Sequence, residues 1–284
     1  MNHPRGTLII IGGSVYLPTE LHNEHNSENA ILESPEILNR FTEHLAGETN
    51  RIEILPVASE IPKETGDEYI EAFRQLGYDN VGTMDIRERT DTGNKEFLKR
   101  IQQAEGILFT GGNQLRLTSI LGGTKFSDIL FDRYRNEPIV IAGTSAGAMA
   151  MSDTMIYGGL SHEALLKGEV HFSPGFGLLS DVIIDTHFVK RGRIGRLFQA
   201  VASNPASLGI GLGEDTGLLI KGGDIKESIG SGLVIIVDGY SIRYSNFAHI
   251  EQGEPISIEN LSVHVLVPGD KFILSKRKFV RQGE

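Results

Sequence analysis

The strongest constraint on this chain's fold is an alternation. Through its first half, short apolar runs that end in glycine are separated by segments with helical spacing. Thr7–Ile11 is an unbroken apolar run stopped by Gly12-Gly13, as in a strand buried on both faces. Ser34 as N-cap and Pro35 at the first helical position open a helix whose Ile37, Phe41 and Leu45 recur every four residues, and Gly47 ends it. Arg51–Val57 is the next strand. Ile70, Phe73 and Leu76 mark a helix over Asp67–Leu76, closed by Gly77. Val81–Ile86, Asn94–Gln103, Gly106–Thr110, Phe126–Arg135 and Pro138–Ala142 continue as strand, helix, strand, helix, strand. This grammar predicts an α/β fold with a parallel, doubly wound sheet and helices on both faces.

After about residue 205 the pattern changes. Gly217–Lys221, Leu233–Val237, Ser241–Tyr244 and Ser262–Val267 are short β-prone runs separated by Gly-Gly, Asp-Gly or Pro-Gly. Asp238-Gly239 between two of them is a two-residue hairpin signal. The tail therefore reads as antiparallel strands that extend the sheet. No linker-like stretch divides the 284 residues. The expectation is one domain over 1–284, a parallel core to about 205 and an antiparallel β extension over 206–284.

Composition narrows the chemistry. The chain has no cysteine, which removes disulfides, thiolate metal sites and a cysteine nucleophile together. A net charge of −10 disfavours generic binding to nucleic acid or to an anionic membrane. No apolar run approaches the ~20 residues of a membrane span, and Met1–Gly6 carries no secretory apolar region, so a cytoplasmic protein is expected.

Gly143-Thr144-Ser145-Ala146-Gly147 lies where the apolar run Ile139–Ala142 gives way to a helix-like Ala146–Met151. Small residues around a serine at a strand-to-helix corner are what a nucleophile elbow requires. There the hydroxyl projects at a helix N-terminus, where an oxyanion is favoured. The bland alternative is a tight turn whose serine caps the helix.

A serine nucleophile needs a base, and nine histidines compete. His44 falls within a helix, His3 near the terminus, and His22 and His25 form a His-x-x-His in a polar loop. His187 follows the apolar run Val182–Asp185, which places it at a strand's C-terminal end, the ligand edge of such sheets. A carboxylate should fix its tautomer. Glu214-Asp215, after the run Leu208–Leu212, supplies one candidate, and Glu163, in the loop after the elbow helix, is the rival.

Lys190, Arg191, Arg193 and Arg196 follow His187 directly, against an acidic background. Guanidinium groups bind carboxylates bidentately, so this cluster points to a carboxylate-rich ligand, with a solvated helix face as the alternative. Thr110-Gly111-Gly112-Asn113-Gln114 ends another strand, and its glycines let backbone N–H groups approach a ligand.

The ordered series Phe109–Gln114, Gly143–Ala148, Asp185–Phe188 with Arg191, Arg193 and Arg196, and Gly213–Thr216 resembles the cyanophycinases. The opening Gly6–Gly13 and the late Leu261–Leu266 extend the likeness over nearly the whole chain. The resemblance implies a serine-type exopeptidase related to aspartyl dipeptidases, on a fold like that of class I glutamine amidotransferases. Its substrate is cyanophycin, a polyaspartate bearing arginine on each β-carboxyl, and its product is β-aspartyl-arginine released by a homodimer. It further implies Ser145 as nucleophile, His187 as base and Glu214 as orienting acid, with Glu163 the alternative. Gln114, Asp185, Arg191, Arg193 and Arg196 fall on substrate positions. The oxyanion would be held by N–H groups of Ala146 and of Gly111 or Gly112, with no metal or organic cofactor. The chain departs from the family at Thr186, where glutamine is expected, and at Ser14-Val15-Tyr16, where acidic residues are common; both bear on substrate preference. A dipeptidase of short aspartyl peptides and a non-catalytic peptide binder are the rival readings.

Overall fold

The structure, a computed structural model that describes residues 3–15, 17 and 35–283, turns the apolar runs of the first half into five parallel strands. These are β1 (Thr7–Ile11), β2 (Ile52–Leu55), β3 (Val81–Thr83), β4 (Gly106–Phe109) and β5 (Val140–Thr144), in the spatial order β1-β5-β4-β2-β3. Because side chains alternate across a strand, Leu8 and Ile10 face one side of the sheet, and Ile9 and Ile11 face the other. All four are 0–1% exposed. Each such burial contributes about 1.5–3 kcal/mol against leaving the side chain in water.

Helices cover both faces. α1 (Glu36–Thr42) and α2 (Pro62–Gln75) bring Ile37, Phe41 and Phe73 onto Ile9, Ile11 and Ile54. α3 (Lys95–Gln103), α4 (Gln114–Leu121) and α5 (Lys125–Asn136) bring Ile101, Leu117 and Phe126 onto Leu8, Ile10 and Ile107. The sheet is doubly wound, as the alternation requires. Helix α1 stops at Thr42, earlier than its apolar spacing suggests, and His44 lies in the turn beyond it. The expected cap Ser34 lies outside the described residues, as do Tyr16, His22 and His25. Helix α4 is an addition: Asn113 caps it by accepting the Leu115 N–H at 2.9 Å.

Past β5 come α6 (Ala146–Met149), the hairpin β6 (Thr154–Gly158) with β7 (His171–Pro174), then β8 (Val182–Asp185), α7 (Ile194–Ser203) and β9 (Leu208–Leu212). The tail carries β10 (Thr216–Lys221), β11 (Ile225–Gly230), β12 (Val234–Asp238), β13 (Tyr244–Ser245), β14 (Ile258–Glu259), β15 (Ser262–Leu266), β16 (Lys271–Ile273) and β17 (Lys278–Val280). These strands are antiparallel, but they divide among three sheets, with β13 and β14 paired to each other. β10, β11, β16 and β17 extend the main sheet beside β1, completing nine strands. β12 and β15 join β9 and β8 in a second, four-stranded sheet, within which β8 and β9 run parallel.

The hairpin expected at Asp238-Gly239 does not form. β12 pairs with β15, and residues 239–261 intervene. Asp238 accepts the Tyr240 N–H and bonds Arg277, so its side chain turns the chain away instead of reversing it.

This split positions the site. β8 and β9 end beside the C-terminal ends of β1 and β5, and the turn Gly213–Asp215 carries the chain from the second sheet back into β10 of the first. Two backbone bonds cross the seam, from His187 to Gly12 and from Asp215 to Gly13, and two more, one in each sheet, continue the pairing up to it. His187 N–H donates to Gly12 O at 2.9 Å, Phe188 N–H to Leu212 O at 3.0 Å, Gly12 N–H to Thr216 O at 2.8 Å and Asp215 N–H to Gly13 O at 2.9 Å.

Candidate active site

Ser145 sits between β5 and α6 at φ 52°, ψ −110°, a conformation that L-residues rarely adopt and that costs on the order of 1–3 kcal/mol. Its neighbours enforce it. A Cβ at Gly143 would lie 2.5 Å from the Gly147 carbonyl carbon, and one at Gly147 would lie 2.5 Å from Phe109 O. Glycine on both sides is thus required by backbone packing, and the serine is left at the apex. The helix beyond is a single turn, shorter than the expected Ala146–Met151. Any positive potential at Ser145 therefore comes from unpaired first-turn N–H groups, with little summed helix dipole behind them.

The imidazole of His187 meets this serine from the other sheet. Ser145 Oγ lies 3.1 Å from His187 Nε2, and His187 Nδ1 lies 3.1 Å from Glu214 Oε1. His187 is itself at φ 50°, where the chain turns sharply out of β8. Gly13, at φ 120°, lies against the ring: a Cβ there would come within 2.5 Å of Nε2. Glu163 lies elsewhere, its carboxylate 3.7 Å from His162, and makes no contact with His187. Of the two rival carboxylates, the one in hydrogen-bonding reach of Nδ1 is Glu214.

Burial pushes the His187 imidazole below its ordinary 6.5. The Glu214 hydrogen bond and charge oppose that shift, while Arg191 and Arg193 add to it. Burial alone would raise Glu214, but hydrogen bonds from His187 and Lys190 hold it below the usual carboxylate range. The site is thus poised with a neutral imidazole against an ionised carboxylate near neutral pH, the protonation states of a serine–base–acid relay.

The strand β4 ends beside the serine. A Cβ at Gly111 would stand 4.0 Å from Ser145 Oγ, and Gly112, at φ 136°, packs against the Ala58 carbonyl where a Cβ would clash at 2.1 Å. Among the described residues no backbone carbonyl accepts from the Gly111, Gly112 or Ala146 N–H groups. Of these, Gly111 stands beside the Ser145 side chain and Ala146 follows Ser145 directly in the chain. Gln114, the first residue of α4, donates from Nε2 to Ile156 O at 3.0 Å, anchoring the loop to β6.

The cations after His187 are not equivalent. Asp185, fully buried at the end of β8, lies 3.1 Å from Arg193 Nη1 and 3.0 Å from Arg196 Nε, and accepts the Thr186 N–H at 2.9 Å. Burial raises Asp185 and lowers Arg196, each opposed by the other's charge. Arg193 also donates through Nη1 to Thr186 O at 2.8 Å. Arg196 is 4% exposed, so the solvated-helix-face alternative fails for it. Arg191 is exposed, and no described residue pairs with it. Thr186 is buried and donates to the Met149 sulfur. Gly12, Gly13 and Lys190, whose Nζ lies 3.1 Å from Glu214 Oε2, carry parts of the geometry that motif reading passes over. A Gly-Gly at the C-terminal end of the first parallel strand was the available signal.

Among the described residues, no three His, Asp or Glu side chains form a group that could hold a metal ion, and no helix is long and apolar enough to cross a membrane. A surface depression of about 600 Å³ lined by Lys125, Asp132 and Arg133 contains no member of the Ser145 constellation.

A serine at a strained strand–helix corner, bonded to a histidine that is bonded in turn to a carboxylate, on the C-terminal edge of a parallel sheet, defines a serine-type hydrolase. Comparison with known proteins gives the same class and narrows it. Residues 25–228 match the model of peptidase family S51. The chain is 38% identical over 242 residues to a cyanophycinase of Trichormus variabilis, covering 85% of this chain and 81% of that one. It is 34% identical over 269 residues to a cyanophycinase of Geminocystis herdmanii, covering 94% and 93%. The crystal structure of a peptidase from an acI-B1 Actinobacterium shares the fold, with a TM-score of 0.64 over 96% of this chain and 98% of that one at 22% identity. The chain belongs to peptidase family S51, and it is a serine-type peptidase.

The geometry predicts a titration. Because Glu214 raises the His187 pKa, Glu214→Gln should lower it further, while Glu163→Gln should leave it in place. Histidine ¹³Cε1 NMR across pH reads both; a shift in the Glu163 variant alone would assign the carboxylate differently.

Proposed function

We propose that this peptidase is a cyanophycinase-like exopeptidase that hydrolyses aspartyl α-peptide bonds and releases β-aspartyl-arginine from the carboxyl end of its substrate. The observation that carries the reading is the line Ser145 Oγ–His187 Nε2 at 3.1 Å and His187 Nδ1–Glu214 Oε1 at 3.1 Å, with an arginine cluster beginning four residues past the histidine. The cyanophycinase relatives supply the substrate class. The same reading takes the chain as one domain, working as a cytoplasmic homodimer, with neither nucleic acid nor membrane as partner.

In the reaction, His187 Nε2 takes the Ser145 proton as Oγ attacks the carbonyl carbon. The resulting oxyanion is held by the N–H of Ala146 and one from Gly111 or Gly112. The imidazolium, steadied by Glu214, gives its proton to the leaving amine, and the C–N bond breaks to leave an ester on Ser145. Water attacks that ester with His187 again as base, which frees the acid and restores the hydroxyl. No step requires a metal or an organic cofactor.

The arginines hold the substrate's carboxylates. Asp185 accepts from Arg193 Nη1 and forms an ion pair with Arg196 Nε, which holds both guanidinium groups beside the site. Arg191 has no such anchor and meets the substrate from the surface. Thr186, turned inward to Met149, offers no amide to a ligand where the family has glutamine. That departure favours, as second reading, an aspartyl dipeptidase acting on short peptides.

Incubating the purified protein with insoluble cyanophycin and with short aspartyl peptides separates the two readings by which substrate yields product. Ser145→Ala should abolish release from either while keeping the wild-type melting temperature. Turnover persisting near the wild-type rate would end the proposal.

The arginines should divide by stability. Arg191→Lys loses a fork but no structural partner, so kcat/KM should fall roughly ten- to a hundredfold, at about 1.5–3 kcal/mol per charged hydrogen bond, with Tm unchanged. Arg196→Met leaves Asp185 short of a buried counter-charge and should cost roughly 3–5 kcal/mol of stability. Kinetics and melting curves on both variants check the division; equal effects in both assays would contradict it.

A further inference from the structure

Of the four cations that follow His187, Lys190 has a partner of its own. The chain leaves His187 in a tight turn: Arg191 N–H donates to His187 O at 3.0 Å, Gly192 N–H to Val189 O at 3.1 Å and Arg193 N–H to Phe188 O at 3.0 Å. The turn starts from the positive φ of His187, and it folds Lys190 back over the β9–β10 turn. There Lys190 Nζ stands 3.1 Å from Glu214 Oε2, while Glu214 Oε1 serves His187. Both carboxylate oxygens are thereby assigned, one to the imidazole and one to the ammonium.

That division matters because a glutamate side chain is long. With one hydrogen bond it swings about its terminal torsions and can offer either oxygen, or none, to Nδ1. A second bond from the opposite side removes those alternatives. Lys190 is exposed, with its side chain at 71%, and contributes little to folding stability. Its effect falls on the orientation of Glu214. The charged groups around the imidazole are Glu214 and Asp215 from the β9–β10 turn, with Asp215 bonded to Ser231. Lys190, Arg191 and Arg193 come from the turn after His187, and Asp185 lies behind Arg193. Gly12, Gly13 and Ser145, which close the other sides, bring no charge.

We propose that Lys190 is a positioning residue: its ammonium fixes Glu214 by the oxygen that His187 does not use. The inference rests on the Ser145–His187–Glu214 reading above. It assigns to the basic run a role apart from substrate binding, carried by the cation nearest the carboxylate.

Lys190→Met and Lys190→Arg test it, with histidine ¹³Cε1 NMR and with kinetics on an aspartyl-arginine peptide. Without Lys190, Glu214 is held less firmly at Nδ1 and supports the imidazolium less well, so the His187 titration should move to lower pH in Lys190→Met, in the direction of Glu214→Gln. Lys190→Arg should return it toward wild type. kcat should fall roughly two- to fivefold in the Met variant with KM unchanged, the range of an exposed ion pair. An unmoved titration would overturn the proposal, as would a raised KM at constant kcat, which would make Lys190 a substrate contact. The titration needs no turnover, so it can fail or succeed independently of the proposed activity.

Discussion

The arrangement depends on a place where no side chain fits. A Cβ on Gly12 would lie 1.8 Å from Gly213 O, and one on Gly13 would lie 2.5 Å from the His187 ring nitrogen. These two residues follow β1, the strand beside the one that leads to Ser145, and their backbone groups bond His187, Asp215 and Thr216. The first sheet supplies the nucleophile, and the second supplies the base and the carboxylate. The Gly-Gly joint lets the two sheets approach closely enough for the 3.1 Å contact between serine and imidazole. Any side chain at Gly13 would occupy the space of the imidazole.

A second constraint is charge. The chain carries a net charge of −10, yet it gathers four cations within seven residues at the start of α7. Positive groups at a helix N-terminus run against its dipole, and their mutual repulsion adds to the cost. Two buried or half-buried carboxylates offset this. Asp185 takes Arg193 and Arg196, and Glu214 takes Lys190. The same contacts orient the guanidinium groups and the carboxylate beside His187, so the compensation of charge also sets the geometry.

Much of this was legible in the residues. The strand–helix alternation specified the parallel core because both faces of each strand must be buried, and the elbow was legible because small residues flank Ser145 where a strand ends. His187 stood out by its place after Val182–Asp185. Local pattern was silent where the outcome depends on pairing between distant strands. Nothing in Val182–Asp185 or Leu208–Leu212 says that they leave the main sheet, and Asp238-Gly239 carries a hairpin signal that the pairing of β12 with β15 overrides. The basic run read as a set of equal ligands, whereas burial against Asp185 makes them unequal. Burial is a tertiary property that sequence spacing does not encode.

The central claim is that Ser145 becomes covalently acylated with His187 as its base. Treating the full-length protein with a serine-directed fluorophosphonate and mapping the adduct by peptide mass spectrometry tests it most directly. The account predicts a single phosphonylated residue, Ser145, formed rapidly in the wild type and slowly in His187→Ala. A protein that hydrolyses its substrate yet carries the adduct on another residue, or labels at Ser145 equally fast without His187, would contradict it.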